Sequence, residues 1–467
     1  MRAGYLWLLS FLVYPIVGAP LLKARSFRVF GFPARVILSG GVGMVLVSWT
    51  MTTFALFNLR WGPSLVLVAG VLALALRRLL LRGDAHGEIH SSPIQAEINS
   101  SFPSRRVPGG GEGRFTRALT LLAHSLTALS LLAALAAVVS GRSTSPDLLF
   151  FWGPKAQQFA ASRTIDADFL GAPFLEYLHL YYPPLVTNVW ALPAMIAGRL
   201  PWGAVTLTFP LLLAATAIGL AGILKAGSGP VPAAATTAVA TSVLTLVGIH
   251  ASVAGNGESS LLFFEILAIA LLMTPVSATI GGKLLAGLFL AGAATSKVEG
   301  FPFVLGTAAL FLVVAERERS RPVVRTLLLL LGPMAVALGT WLAFGELRHL
   351  FRGYQGYGAV LAVRWNNLGL IAAAIGAALG KVAHGLPWLV PLALWLAAGE
   401  KSRRALLPIG VAVLLAGFLV FTYLTTAAAP ALLISWSAAR VFTPVAALLA
   451  LAAHRFPETA GGAAPRS

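Results

Sequence analysis

The sequence predicts an all-α polytopic membrane protein, and three observations carry that prediction. Of the 467 residues, 58% are hydrophobic and 11% are charged, with a mean hydropathy of +0.84. A soluble domain is typically about a quarter charged. Apolar runs of roughly 18 residues or more, the length needed to cross a hydrocarbon core, recur along the chain. Basic residues gather in the short connections between those runs, as the positive-inside rule requires. A β-barrel would instead show short segments of alternating polarity.

The elements follow in order. The first apolar run is Tyr5 to Leu22, with Lys23, Arg25, Arg28 and Arg35 after it, which places that connection in the cytoplasm. It ends in a basic stretch and not in a small-residue cleavage site, so no cleavable signal is expected. Runs Val36 to Phe57 and Trp61 to Leu81 complete three accessory spans, residues 1–82. Residues 83–116, rich in Ser, Pro and Gly and carrying Arg105, Arg106 and Arg114, read as a flexible cytoplasmic linker.

A transmembrane module is expected over 117–453, with a cytoplasmic tail over 454–467. Its first run, Arg117 to Ser140, crosses outward and leads to a large outer loop, 141–184. Pro184 to Leu200 opens on a double proline and reads as an interfacial or re-entrant helix. Further runs are Val205 to Leu224, Val231 to His250, Leu261 to Thr274, Leu284 to Thr295, Phe301 to Ala315 and Thr326 to Phe344. A second polar outer loop, Gly345 to Asn367, precedes the interfacial Gly369 to Lys381. Leu386 to Ala398, Leu406 to Tyr423 and Trp436 to Ala453 complete about thirteen spans.

The formal charge is +18, from 34 basic and 16 acidic residues. In a soluble protein that balance suggests nucleic acid, but here the cytoplasmic turns account for it, so no nucleic-acid partner is expected. There is no cysteine, which excludes disulfides and thiolate metal sites. The chain has no Walker A loop, HExxH or GxSxG, so nucleotide-dependent and hydrolytic chemistry lack motif support.

The same topology brings the remaining polar residues to the outer side. They are the Asp147 loop, the GNGES patch at Gly255, the SKVEG patch at Ser296, the loop with Arg348, His349, Arg352 and Arg364, and Arg440 in SWSAAR. Charged groups gathered on one face of a lipid-embedded chain are costly unless paired or used. Asp147 and Lys155 fall near one face of a helix begun after Pro146. They fit either a general base beside a phosphate-binding amine or an interfacial amphipathic helix with snorkelling ends. Lys297 and Glu299 are either a working pair or solvated helix-end charges. Glu258 either takes part in a site or complements a helix dipole. Arg440, inside the last apolar run, reads as the partner of a buried anion. His179 reads more readily as interfacial than as catalytic. Glu265 reads as a helix-to-helix hydrogen-bonding group.

Four segments together resemble the GT-C superfamily of membrane glycosyltransferases, nearest its bacterial branch of protein O-mannosyltransferases and aminoarabinose transferases. The first outer loop has Asp147, then Trp152, Lys155 and Ala156, and ends in Tyr182, Pro183, Pro184 and Leu185. Glu258 opens an apolar helix. Thr295, Ser296, Lys297, Val298, Glu299 and Gly300 form a TKxEG-like motif, and Arg440 precedes a helix with Pro444. The resemblance covers roughly Arg117 to Ala453. It implies a GT-C-like fold, a polyprenyl-phosphate-linked sugar donor, and inverting transfer to an acceptor glycan, lipid or protein on the outer face of a bacterial inner membrane.

In that reading Asp147 is the base and Glu258 a second catalytic acid. Lys155, Lys297, Arg440, Tyr182 and His179 hold the donor phosphate, and Trp152, Glu299, Asp166 and Asp168 belong to the substrate loop. The relatives carry Lys before the proline pair where this chain has Tyr182, so phosphate binding falls to other cations. No resident cofactor or metal is expected. The carboxylates are compatible with a divalent cation, but no spacing demands one. A monomer among membrane lipids is expected. The competing readings are a secondary transporter, which would carry inverted repeats and midplane charges, and a non-enzymatic polymer-export component.

Overall fold

A computed structural model describes residues 2–24, 27–87, 110–172, 178, 181–316, 323–351, 363–397, 405–425 and 430–454. Among these residues the chain is helical, and the one isolated β-bridge joins Thr144 to Ala254. Helices of six residues or more are α1 (Arg2–Ser10), α2 (Val13–Gly18), α3 (Phe32–Leu56), α4 (Pro63–Gly87), α5 (Gly110–Val139) and α6 (Gly153–Ser162). They continue with α7 (Leu185–Ala197), α8 (Thr208–Ser228), α9 (Pro230–His250), α10 (Glu258–Met273), α11 (Ile280–Ser296) and α12 (Gly300–Phe311). The last are α13 (Val323–Leu347), α14 (Leu368–Gly380), α15 (Leu386–Ala397), α16 (Leu406–Thr425), α17 (Pro430–Val441) and α18 (Thr443–Ala452).

Among the described residues, eight helical stretches are long and apolar enough to cross a membrane, or nine if the sharply bent pair α14 and α15 makes one span. Large apolar side chains stand exposed along their outer faces, including Leu67 and Val71 on α4, Leu122 and Leu129 on α5, and Val324 and Leu328 on α13. A continuous exposed apolar surface of this kind requires a lipid solvent. The chain is an all-α protein with the features of an integral membrane protein.

Shorter apolar helices accompany them, and two of these, α7 and α11, are mostly buried. At about 1.5 Å per residue the 13 residues of α7 fall well short of the hydrocarbon thickness. Its polar Asn188 is buried and bonds the Ser48 carbonyl at 3.2 Å, Ser48 Oγ at 3.1 Å and Thr52 Oγ1 at 3.3 Å, fastening α7 to α3. The centre of the bundle is α10, in which every residue from Glu258 to Met273 is buried. Beyond its polar first turn, Glu258 to Ser260, it is apolar all round save at Glu265, as a helix enclosed by other helices should be.

Two long runs break where proline dictates. Pro15 lacks an N–H, and its ring meets the carbonyl of residue 11, so the first run folds as α1 and α2 with a turn at Phe11 and Leu12. Pro444 does the same to the last run. The helix ends at Val441, Phe442 forms the joint, and α18 begins at Thr443. Helix α4 runs on to Gly87 and α5 starts at Gly110, so the expected linker is shorter by those turns, and 88–109 lie outside the described residues.

Candidate functional site: an ionic cluster at the helix ends

The loop after α5 is stitched to the segment before α10 by two backbone hydrogen bonds. Ser145 N donates to Ala254 O at 2.8 Å, and Ala254 N donates to Ser143 O at 3.0 Å. This short parallel contact brings Asp147 beside Asn256 and Glu258. The GNG sequence is required there. Gly255 has φ +81°, and a Cβ on Gly257 would stand 2.7 Å from the Trp152 indole. Asn256 is thereby held between Gly255 and Gly257, its Oδ1 accepts from Gly257 N at 2.6 Å, and its side chain reaches three more distant partners. Its amide nitrogen donates to Asp147 Oδ2 at 2.8 Å and to Ser145 Oγ at 3.2 Å, while its Oδ1 accepts from Trp152 Nε1 at 3.2 Å.

Helix α11 ends at Ser296, where Lys297 turns to extended backbone (φ −151°, ψ 162°), and α12 starts after Glu299. Lys297 Nζ donates to Glu258 Oε1 at 2.7 Å and stands 3.4 Å from Glu299 Oε1. Arg440 closes the cluster from α17. Its Nη1 donates to Asp147 Oδ2 at 2.9 Å, and its Nε lies 2.8 Å from Glu258 Oε1, in an ion pair whose N–H is not aimed along the contact. Glu258 and Glu299 stand where α10 and α12 begin, so their charge also complements two helix dipoles.

Exposure grades across the cluster. The side chains of Glu258 and Lys297 are 4% and 6% exposed, Arg440 and Glu299 are 22%, and Asp147 is 39%. The buried part is charge-paired, as a low-dielectric site demands. Asp147 is the group that opens outward. Its Oδ2 is fixed by two donors, and its Oδ1 has no hydrogen-bond partner among the described residues. On the inner side Glu258, Lys297, Glu299 and Arg440 border a narrow gap walled by Leu261, Leu262, Leu415, Leu419 and Pro444. Its free volume of about 20 Å³ is room for one or two waters.

An aromatic wall stands beside the ions. Phe151, Trp152 and Tyr182 meet edge to face with centroids 4.3 to 5.8 Å apart, and Lys297 Nζ lies 5.8 Å from the Tyr182 ring. Lys155 is on the same wall but is turned to other partners. Its amine donates to Leu178 O at 3.1 Å and sits 3.7 Å over the Phe151 ring. Burial pushes that amine well below its ordinary pKa.

The structure thus joins Asp147, Glu258, Lys297, Glu299 and Arg440 by direct ion pairs and places Trp152 and Tyr182 against them. Asp166 and Asp168 lie beyond the other end of α6. Asp166 caps a short helix, accepting from Phe169 N at 2.9 Å and from Gln158 Nε2 at 2.7 Å. His179 lies outside the described residues. Glu265 does not make the expected helix-to-helix bond through Oε2, which is buried without a hydrogen-bond partner among the described residues; the side chain lines the narrow gap instead. Sequence reasoning missed Asn256 as an individual residue. Its signal was an amide between two glycines directly before an acid that opens an apolar helix. Among the described residues no set of three His, Cys, Asp or Glu side chains is arranged to hold a metal.

Fold and site define a class, a polytopic helical membrane protein with a charge-paired, partly open carboxylate site at its helix ends. No protein-family model, curated protein or solved structure matches the chain.

Proposed function

We propose that the chain is a GT-C-type membrane glycosyltransferase that moves a sugar from a polyprenyl-phosphate-linked donor to an acceptor hydroxyl on the extracytoplasmic face of a bacterial inner membrane. One observation carries the reading. Carboxylates and cations from four separate segments meet at the breaks between helices, with Asp147 as the accessible acid. A transporter would call for inverted repeats, and the sequence shows none.

In this reaction the acceptor oxygen attacks the anomeric carbon and its proton passes to Asp147. The bond from that carbon to the phosphate oxygen breaks, and the electron pair leaves on the lipid phosphate. Asp147 suits the base, because Asn256 and Arg440 hold one oxygen and leave the other outward. Arg440 and Lys297 supply fixed positive charge for the leaving phosphate. Both already face carboxylates, so a phosphate competes with Glu258 and Asp147 for them. The aromatic wall at Tyr182 offers a face for a sugar ring.

The test is reconstitution of the full chain in proteoliposomes with a panel of polyprenyl-phosphate hexoses, pentoses and aminosugars, alongside Asp147→Asn. The expected result is consumption of one donor with release of polyprenyl phosphate, and a loss of about a hundredfold or more in Asp147→Asn, the typical weight of general-base catalysis. Asp147→Asn turning over at the parent rate removes Asp147 as base. No donor consumed, together with unchanged glycans and glycolipids in a deletion strain, overturns the reading.

A further inference from the structure

A second polar feature lies beyond the opposite end of α6 from Asp147. It is an open cleft of about 990 Å³, at the upper end of the ~300–1,000 Å³ typical of small-molecule sites. Three separate parts of the chain wall it. The turn after α3 gives Asn58 and Arg60, the segment after α6 gives Asp166 and Asp168, and the turn after α13 gives Arg348 and His349. Arg60 and His349 are exposed, and Arg348 is half-buried.

The charges in the cleft are unevenly committed. Asp166 is occupied as a helix cap and by Gln158. Arg348 reaches only a neutral oxygen, Asn58 Oδ1, through Nη2, and its guanidinium lies 5.9 Å from the Phe344 ring centroid. Among the described residues neither Arg60 nor Arg348 pairs with a carboxylate. Among the described residues lining the cleft, two arginines and a histidine thus stand with one uncommitted acid, Asp168. Ser162 and Thr164 add hydroxyl groups to the lining. The backbone is also unusual here. Asn58 (φ 59°) and His349 (φ 55°) are left-handed, and so is Arg163 (φ 54°), between Ser162 and Thr164. Non-glycine residues held in that region cluster at ligand-clamping sites.

We propose that this cleft binds an anionic carbohydrate, with Arg60 and Arg348 holding a carboxylate or phosphate on the sugar. Arginine presents a planar fork suited to either anion. The hydroxyl, amide and acidic groups around it suit sugar hydroxyls, and they outweigh the apolar lining from Ala55, Ile165 and Leu350 that a lipid tail would need. The ten residues of α6 span roughly 15 Å at 1.5 Å per residue, so an oligosaccharide seated in the cleft could extend toward Asp147. That the ligand is the acceptor rests on the transferase reading; that the cleft binds an anionic sugar does not.

The test uses the full chain in detergent and in nanodiscs, titrated with pentagalacturonate and with neutral maltopentaose at fixed ionic strength. The uronate should bind at least about tenfold more tightly, the worth of roughly 1.4 kcal/mol. Arg60→Ala with Arg348→Ala should erase that preference, and Arg60→Lys with Arg348→Lys should keep part of it, which separates loss of charge from loss of fold. Asp147→Asn should bind uronate as the parent does. Equal binding of the two sugars, a preference that survives the double alanine variant, or loss of uronate binding in Asp147→Asn overturns the proposal. So does competition from phosphatidylglycerol nanodiscs that phosphatidylcholine nanodiscs do not show, which would assign the cleft to a lipid headgroup. A chain that prefers uronate but transfers no sugar keeps the cleft and removes the transferase. A chain that transfers sugar with no uronate preference does the reverse.

Discussion

Asp147 and Arg440 are 293 positions apart in the chain and 2.9 Å apart in space. Arg440 lies one turn before Pro444, where the last apolar run is broken, and Asp147 lies at the entry to a π-helical turn, Leu148–Trp152. Asp147 stands where a loop enters that turn, and Arg440 stands just before the joint at Phe442. Between them they link the loop after α5 to the end of the bundle, and Arg440 passes the link on to Glu258.

Arg440→Ala should therefore destabilise the protein as well as inactivate it. It leaves the buried Glu258 with Lys297 as its one remaining cation partner. Removing one member of a buried pair typically costs about 3–5 kcal/mol, and the surviving Lys297 places this case near the lower bound. Arg440→Lys should recover part of the loss, since a point charge cannot face Asp147 and Glu258 as a fork does. Thermal unfolding in detergent measures both, and a cycle with Glu258→Gln gives the coupling, expected at about 1–3 kcal/mol. A coupling near zero would mean that the pair contributes no net stability.

Much of this cluster was legible beforehand for one physical reason. Asp147, Glu258, Lys297, Glu299 and Arg440 are charges set in apolar surroundings, where a charge without a partner is costly. Their meeting follows from topology, which placed them all at one end. Two features were not legible. Asn256 is neutral and sits between glycines, so it reads as a turn residue until the Thr144–Ala254 bridge shows what it faces. Helical spacing sets Lys155 near the face of Asp147, but the intervening turn is π-helical and spacing alone does not reveal that. Its amine goes to Leu178 O and the Phe151 ring.

Asn256→Ala should release Asp147 without unfolding the protein. The carboxylate keeps Arg440 and loses its second fixed donor on Oδ2. Trp152 Nε1 loses its acceptor at the same time. Loss of one neutral hydrogen bond is worth about 0.5–1.5 kcal/mol, and a donor bound to a charged group about 1.5–3. A fall in turnover of roughly ten- to a hundredfold is expected, with Asn256→Asp worse because it sets a second carboxylate beside the first. Turnover within a factor of about two of the parent, inside the lower of those energies, would show that Asp147 needs no help from Asn256.

Lys155 and Lys297 should separate cleanly when each is changed to Met. Lys297 bridges Glu258 and Glu299, so its loss removes the charge facing both acids and should lower turnover about a hundredfold or more. Lys155 faces a carbonyl and two rings, and an apolar side chain of similar length fills the same space. Lys155→Met should leave affinity for the donor phosphate within about twofold and shift stability by no more than about 1–3 kcal/mol, the cost of the one carbonyl left unpaired. Donor affinity that falls as far in Lys155→Met as in Lys297→Met would return Lys155 to the phosphate site.

The orientation of the site rests on the basic connections, and it can be read directly. The chain has no cysteine, so any thiol introduced is unique. Arg142 is exposed beside the Asp147 loop, and Lys225 is exposed near the C-terminal end of α8. Neither touches the ionic cluster, so Arg142→Cys and Lys225→Cys should leave folding and turnover intact. Spheroplasts treated with a membrane-impermeant maleimide should label Arg142→Cys at once and Lys225→Cys only after lysis. The physical basis is that lysine and arginine are retained on the cytoplasmic side of short connections, and Lys225 ends a 21-residue helix that leads into one. The opposite pattern would place Asp147 in the cytoplasm, away from any extracytoplasmic acceptor. Labelling of both positions in intact spheroplasts would mean that α8 does not cross the membrane.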